Sequence, residues 1–335
     1  MTHSLADYLD EHASSALSRE VGQTVLRLST AAVAVHRAIA TGRVPELRPA
    51  DDHTSNPSGE VQKPLDVFAD EAFRAAASQS PVRVYGSEER REPIDLGGVG
   101  KLALAIDPLD GSSNIETNTA VGTIFSLLPL KADGNTGPRS AFEQPGVNQL
   151  AAGFFIYGAQ LLLVLTIGLG TQTFIHVGEG RGFALMVKGH EIPPETREYS
   201  INASNRRHWA EGIRRYIEDA EAGKDGPRGR DFGMRYAGSL VADTYRILQR
   251  GGVFLYPGDR REGYRDGRLR QIYETNPIAF CIEQAGGAAT DGRRRMLEID
   301  PEGLHVRAPF VFGSRNEVDA ILAYAGAEQA DASAA

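Results

Sequence analysis

The chain has 335 residues, 41% of them hydrophobic, enough for about two folded domains. A formal net charge of −8 argues against a nucleic-acid-binding surface as its main business. Its single cysteine, Cys281, excludes an intrachain disulfide or thiol switch, and the apolar IAFCIE around it marks a small buried residue.

Residues 1–17 carry Asp7, Asp10 and Glu11 where a secretory leader has a basic start and an apolar run. A cytoplasmic location is expected. Val21, Val25, Leu28, Ala32, Val35 and Ile39 alternate steps of four and three, which predicts a helix over 18–41 stopped by Gly42. Residues 44–60 are rich in Pro, Asp, Ser, Asn and Gly and read as a mobile loop. A second helix covers roughly 66–77, and VRVYG (82–86) is a short strand ending at Ser87-Glu88-Glu89. KLALAI (101–106) is an apolar run of strand length. Pro108, with a fixed φ and no N–H, is expected to end its regular pairing. A further strand spans 122–128, and 131–148 reads as a loop.

The apolar run 150–169 raises a membrane question, but Gly153, Gly158, Gln160, Thr166 and Gly168 break it and no basic flank anchors it. Two buried elements meeting near 158–160 explain it better. Residues 171–188 read as a hairpin. GHEIPPETREYS (189–200) has two prolines and no apolar period, which places a domain boundary there. The domains are then 1–190 and 191–326, followed by a disordered Ala-rich tail over 327–335. In the second half a strand ends near Asn202, helices cover 208–221 and 239–250, and VFLYP (253–257) is a strand. RLRQIY is strand-like and delivers Glu274 to its end; a helix over 277–285 takes Asn276 as its cap. Strands near 296–299 and 309–312 and a helix over 315–325 close the fold.

The stretch DPLDGSSN (107–114) gathers the chemistry. Asp107 and Asp110 flank its Pro-Leu turn. Gly111 can take backbone angles closed to other residues, after which successive N–H groups and the hydroxyls of Ser112 and Ser113 can turn toward an anion. Glu88, Glu89 and Glu274 also stand at strand ends. If the fold gathers them, five carboxylates share one pocket. Two like charges about 5 Å apart repel by roughly 3 kcal/mol at an effective dielectric of about 20, so such a set needs cations or protons. Magnesium suits an all-oxygen set completed by water and a phosphate, and metal-assisted phosphate chemistry is the reading. Taken singly, each acid is an ordinary solvated charge; recurrence at strand ends sets the group apart.

Asp66 reads equally as a helix cap or a catalytic acid, with Glu60 as a weaker companion. Arg235, Tyr236, Tyr256, Arg268 and Arg270 lie at or near element ends, and guanidinium and phenol groups are good phosphate donors. Singly, they too are ordinary surface residues. GGVGKL (97–102) lacks the hydroxyl of a nucleotide loop and precedes a strand instead of a helix. There is no GxSxG, HExxH or CxxC, and the eight histidines show no ligand spacing; His36 reads as structural.

From about residue 18 to 325 the chain resembles the class I fructose-1,6-bisphosphatases. DPLDGSSNI is shared across the lithium-sensitive phosphatase superfamily, which includes inositol phosphatases. VQKPLDVFADE, VYGSEE, GTIFS, MRYAGSLVADTYRIL, GGVFLYP, RLRQIYETNPIAFCIEQAGG and RAPFVFGS indicate the narrower family. The resemblance implies an α/β protein, a layered α/β/α/β/α sandwich of two domains with the sugar-phosphatase fold, assembled as a homotetramer. It implies hydrolysis of the 1-phosphate of fructose 1,6-bisphosphate, in gluconeogenesis or the Calvin cycle. The cofactor would be magnesium, about two or three ions per subunit, with manganese as a substitute. By match, Glu88, Glu89, Asp107, Asp110, Glu274 and the Leu109 carbonyl would be metal ligands. Asp66 and Glu89 would help activate the attacking water, and Gly111, Ser112, Ser113 and Arg270 would hold the reacting phosphate. Asn202, Tyr236, Tyr256 and Arg268 would hold the sugar and its other phosphate, which Arg235 would reach from a neighbouring subunit. No nucleic acid or membrane partner is implied.

The chain also departs from the family. Glu60 stands where Asp is common, Asn205 matches a Tyr that often contacts the distal phosphate, and Arg268 replaces a Lys. Sedoheptulose 1,7-bisphosphate is therefore an alternative substrate. Another phosphatase of the superfamily, such as an inositol monophosphatase, and a noncatalytic sugar-phosphate sensor are the other readings. Gly22 and Leu102 stand where a Thr and a Tyr usually contact AMP, so weak or absent AMP inhibition is expected.

Overall fold

The computed structural model describes residues 3–44, 57, 63–130, 137–178 and 180–334. Most of the expected loop over 44–60, Glu60 included, lies outside them, as do 131–136 of the loop over 131–148. Two helices open the chain, α1 (Leu5–Glu11) and α2 (Ala16–Thr41). Each starts on a serine cap: Ser4 Oγ accepts from Asp7 N, and Ser15 Oγ from Ser18 N. Gly42, with φ +62°, ends α2 as expected. α3 (Pro64–Ser78) follows and packs against α2.

Eight strands then form one sheet: β1 (Val82–Ser87), β2 (Ile94–Asp95), β3 (Leu102–Asp110), β4 (Val121–Pro129), β5 (Ala151–Tyr157), β6 (Leu161–Thr166), β7 (Thr171–His176) and β8 (Phe183–Val187). Their order is β2-β1-β3-β4-β5-β6-β7-β8, with β1 and β3 parallel and the rest antiparallel. The apolar run 150–169 is thus two sheet strands, and no helix among the described residues is long and apolar enough to cross a membrane. β7 and β8 are the expected hairpin.

The second half contains β9 (Glu198–Ile201), α4 (Glu211–Glu221), β10 (Gly233–Met234), α5 (Leu240–Arg250), β11 (Val253–Tyr256), β12 (Leu269–Arg270), α6 (Asn276–Gln284), β13 (Ala288–Thr290), β14 (Arg307–Ala308), β15 (Phe310–Gly313) and α7 (Arg315–Ala334). Its main sheet has the order β10-β9-β11-β15-β13, and β12 pairs with β14.

Three apolar layers hold the stack. α1, α2 and α3 bury Leu9, Leu28 and Phe73 against Phe125 and Phe155 on one face of the large sheet. The other face, with Ile124 and Phe154, meets Val241 of α5, Ile278 of α6, and Phe254 and Phe312 of the second sheet. Beyond that sheet, Ile213 and Tyr216 of α4 and Val318 and Ile321 of α7 cover Val253 and Val311. The order helix, sheet, helix, sheet, helix is the expected five-layer α/β sandwich. Cys281 sits fully buried in the middle layer, where burial pushes its thiol pKa up. His36 stacks on Tyr157.

Several expectations need correction. α4 begins at Glu211, because Ala203–His208 forms a separate 3-10 turn on the Asn202 cap. Residues near 296–299 are a 3-10 turn, Met296–Glu298, not a strand. Asn276 is the first residue of α6 and not its cap, since a helical turn already precedes it. α7 runs from Arg315 to Ala334, past the expected end at 325.

Candidate active site

The register of β3 explains how Asp107 and Asp110 come to act together. Strict alternation sends residues three apart to opposite faces of a strand. Against β4, however, Asp107 pairs with Ile124 and Asp110 with Gly122, so three steps on β3 span two on β4. This bulge turns both carboxylates to one face. The expected stop at Pro108 is corrected accordingly: pairing lapses there and resumes at Asp110, because a bulge is where a residue without an N–H does least harm.

That face looks toward α5. Val241 N, in the first turn of α5, donates to Asp110 Oδ2 across 3.4 Å. Gly122 permits the approach, since a Cβ there would lie 2.7 Å from Val241 Cγ1 and 2.4 Å from Phe155 O. Glu274 arrives from the other side, on a π turn, Gln271–Thr275, where the sequence suggested a strand. Only Leu269–Arg270 is extended. Glu274 Oε2 accepts from Arg270 N at 2.6 Å. One carboxylate oxygen from each of Asp107, Asp110 and Glu274 lies within 4.8 Å of the other two, and all three residues are buried.

Glu88 joins them just past the end of β1, where its amide donates to Ile106 O on β3 at 3.1 Å. It is buried, with Oε1 3.0 Å from Arg270 Nη2. Glu89 is half-buried beside it. Burial raises the Asp107 pKa well above the usual carboxylate range, and the charges of Glu88, Asp110, Glu274 and Glu89 raise it further. Burial also pushes Asp110 up to about 7, with the Val241 amide opposing and Glu88 adding. Five carboxylates from three separate segments therefore share one field. An all-oxygen set under this repulsion fits a hard divalent cation.

The other expected residues are placed as follows. Asp66 is buried in the first turn of α3, where Oδ2 accepts from Lys63 N at 2.8 Å, so it does reach back to cap the helix. Gly111 takes φ +74° and opens a 3-10 turn, Ser112–Thr117, whose first amides have no partner within the turn. Leu109 N donates to Asp107 Oδ1 at 3.0 Å. Arg268 donates from Nη1 to Tyr264 Oη at 3.0 Å. Tyr256 is half-buried; burial raises its phenol pKa, and it feels Arg268, Tyr264, Glu274 and Arg261. Asn202 Oδ1 accepts from Ser204 Oγ at 2.6 Å, and burial raises the phenol pKa of Tyr236, with Asn202 opposing. Arg235 stays apart, exposed, with Nε 3.8 Å from Glu198 Oε1.

Family models for the two halves match nearly the whole chain: "Fructose-1-6-bisphosphatase, N-terminal domain" over residues 7–187 and "Fructose-1-6-bisphosphatase, C-terminal domain" over 192–326. The chain belongs to the fructose-1,6-bisphosphatase family. Among its relatives, a class 1 fructose-1,6-bisphosphatase of Azorhizobium caulinodans is 51% identical over 322 residues, covering 96% of this chain and 98% of that protein. One from Rhizobium meliloti is 50% identical over 308 residues, covering 92% and 88%. The holo crystal structure of Leishmania major fructose-1,6-bisphosphatase superposes with a TM-score of 0.87 at 31% identity, covering 97% of this chain and 99% of that one.

In this family member part of the cleft wall carries no signal in the sequence. Asn202, Asn205, Tyr256, Asp259, Arg261 and Tyr264 line one cleft. Arg261 donates from Nη2 to Asn205 Oδ1 at 3.1 Å, and its guanidinium lies 4.1 Å from the Tyr264 ring centre. Arg268 lies over the same ring at 4.9 Å. Nothing in the charged run GDRREGYRDGR distinguished Arg261 and Tyr264 from solvated loop residues. Gly122 and Val241 likewise carry no signal, since only the packing of α5 on β4 gives them a role.

Proposed function

We propose that this chain hydrolyses the 1-phosphate of fructose 1,6-bisphosphate, giving fructose 6-phosphate and phosphate. The observation that carries the reading is the buried triad of Asp107, Asp110 and Glu274, with Arg270 bonded to the same cluster. Glu88, Glu89, Asp107, Asp110, Glu274 and the Leu109 carbonyl would hold about two or three magnesium ions, or manganese. When bound, magnesium supplies positive charge that offsets the carboxylates and polarises the phosphoryl oxygens.

The chain's own residues do the rest. Asp66 and Glu89 take the proton of the attacking water. The amides of residues 111–113 and the Ser112 and Ser113 hydroxyls orient the phosphoryl oxygens, and Arg270 stabilises their charge. Asn202, Tyr236, Tyr256 and Arg268 bind the sugar and the remote phosphate. Arg235, exposed at the edge of the second sheet, serves a neighbouring subunit in a homotetramer. The location we propose is the cytoplasm.

Assaying fructose 1,6-bisphosphate, sedoheptulose 1,7-bisphosphate and inositol phosphate side by side with magnesium tests the substrate. Fructose bisphosphate is expected to have the highest kcat/KM; preference for inositol phosphate, or no turnover of any, would refute the reading. Arg268→Ala is expected to raise KM about ten- to a hundredfold with little change in kcat, because a charged contact to the remote phosphate is lost. A fall confined to kcat would place Arg268 elsewhere.

A further inference from the structure

The bulge that aims the two aspartates is held from behind by two buried hydroxyls. Thr123 lies on β4 between Gly122 and Ile124, the partners of Asp110 and Asp107, so it stands opposite the bulge. Its side chain projects to the opposite face from theirs, into the apolar layer formed by Val121, Phe125 and Phe155 with α2 and α3. There Thr123 Oγ1 donates to Pro108 O at 2.7 Å and lies 2.7 Å from Tyr157 Oη. A carbonyl can only accept, so Thr123 spends its proton on Pro108 and takes one from Tyr157. Thr123 is fully buried and Tyr157 nearly so, and the His36 ring of α2 stacks on Tyr157 at 6.2 Å.

The other end of the same peptide unit faces the site. In a trans peptide the C=O and the next N–H point in opposite directions. Pulling Pro108 O rearward onto Thr123 therefore drives Leu109 N–H forward, where it donates to Asp107 Oδ1 at 3.0 Å. One peptide plane is clamped at both ends, and the forward end fixes a carboxylate of the acid cluster. We propose that Thr123 and Tyr157 are positioning residues for the cation site, acting through the Pro108–Leu109 peptide. The inference rests on reading the acid cluster as that site.

The test is calorimetric titration of chelator-stripped protein with magnesium, alongside steady-state kinetics. Thr123→Val removes the hydroxyl at nearly constant shape, and is expected to weaken magnesium binding roughly tenfold and lower kcat with KM for the sugar bisphosphate unchanged. Thr123→Ser should restore both. Tyr157→Phe leaves the Thr123–Pro108 bond in place and should weaken binding by about threefold. Should the valine variant fail to fold, Tyr157→Phe decides alone. Wild-type magnesium affinity in the folded variants, even with a lower Tm, would show a merely structural role and overturn the proposal. Failure of the wild-type protein to bind magnesium would remove the cation site itself and the inference with it.

Discussion

Asp110→Asn should lower kcat by at least about 10³-fold while the fold survives. The substitution keeps the shape of the side chain and its acceptor oxygen, so the contact from Val241 N can persist. What disappears is one negative charge at the centre of the cluster. A cation held by the remaining acids loses a ligand, and the charge balance that the phosphoryl group meets is changed. The folded protein without metal loses nothing by this; it is relieved of a charge whose burial is unfavourable. Turnover should therefore collapse while the Tm of the metal-free variant equals or exceeds that of the metal-free wild type. Turnover within a fewfold of wild type would remove Asp110 from the centre of the reaction.

The acids of this site were legible because of where they stand in the sequence. Glu88, Asp107 and Asp110 each follow or end an apolar run, and a sheet delivers such positions to a common edge. What the sequence hid was how they are aimed. Pro108 reads as a strand stop because the local chain does not reveal its partner, and only the register with Gly122 and Ile124 shows a bulge. Residues 107 and 110 would otherwise face apart, so the pairing irregularity creates the site. Glu274 was found for an incomplete reason. Leu269 and Ile272 suggest extended chain, yet Gln271–Thr275 winds into a π turn, and a single turn is too short to carry a period. The same limit hides α1, seven residues long. Thr123 and Tyr157 look like ordinary strand residues, and their polarity acquires meaning only opposite a carbonyl that the ladder has left behind.

The five-layer architecture followed from resemblance more than from pattern. Periodicity and apolar runs recover α2, α3, β1, β3, β4 and the β7–β8 hairpin, but strands as short as β2, β10 and β14 carry no signal of their own. They form because neighbouring segments present open edges. The cleft wall around Arg261 and Tyr264 belongs to the same class, since a charged loop acquires its order from the strand ends it covers.

Removing the divalent cation should abolish turnover and change how stability depends on pH. Asp107 and Asp110 have folded pKa values above their unfolded value of 3.8. Between the two values the folded state binds more protons, so stability from these groups is full at low pH and is lost as pH rises. The loss begins near pH 4 and continues through about pH 7, the value to which Asp110 is raised. His36, His190 and His305 act the other way, because burial lowers their pKa values and favours the fold as pH rises. A single melting curve mixes the two effects. The difference with and without magnesium cancels the histidines and isolates the acids. A bound cation replaces the protons, so magnesium competes with them at low pH and binds best once they have left. At about a hundredfold excess over its dissociation constant it adds roughly 2.7 kcal/mol. The magnesium-induced rise in Tm should therefore grow steadily from about pH 5 to about pH 8. Asp110→Asn should flatten that growth, because one of the two titrating carboxyls is gone. A magnesium effect that stayed constant or shrank over this range would mean that the buried acids do not exchange protons for the cation.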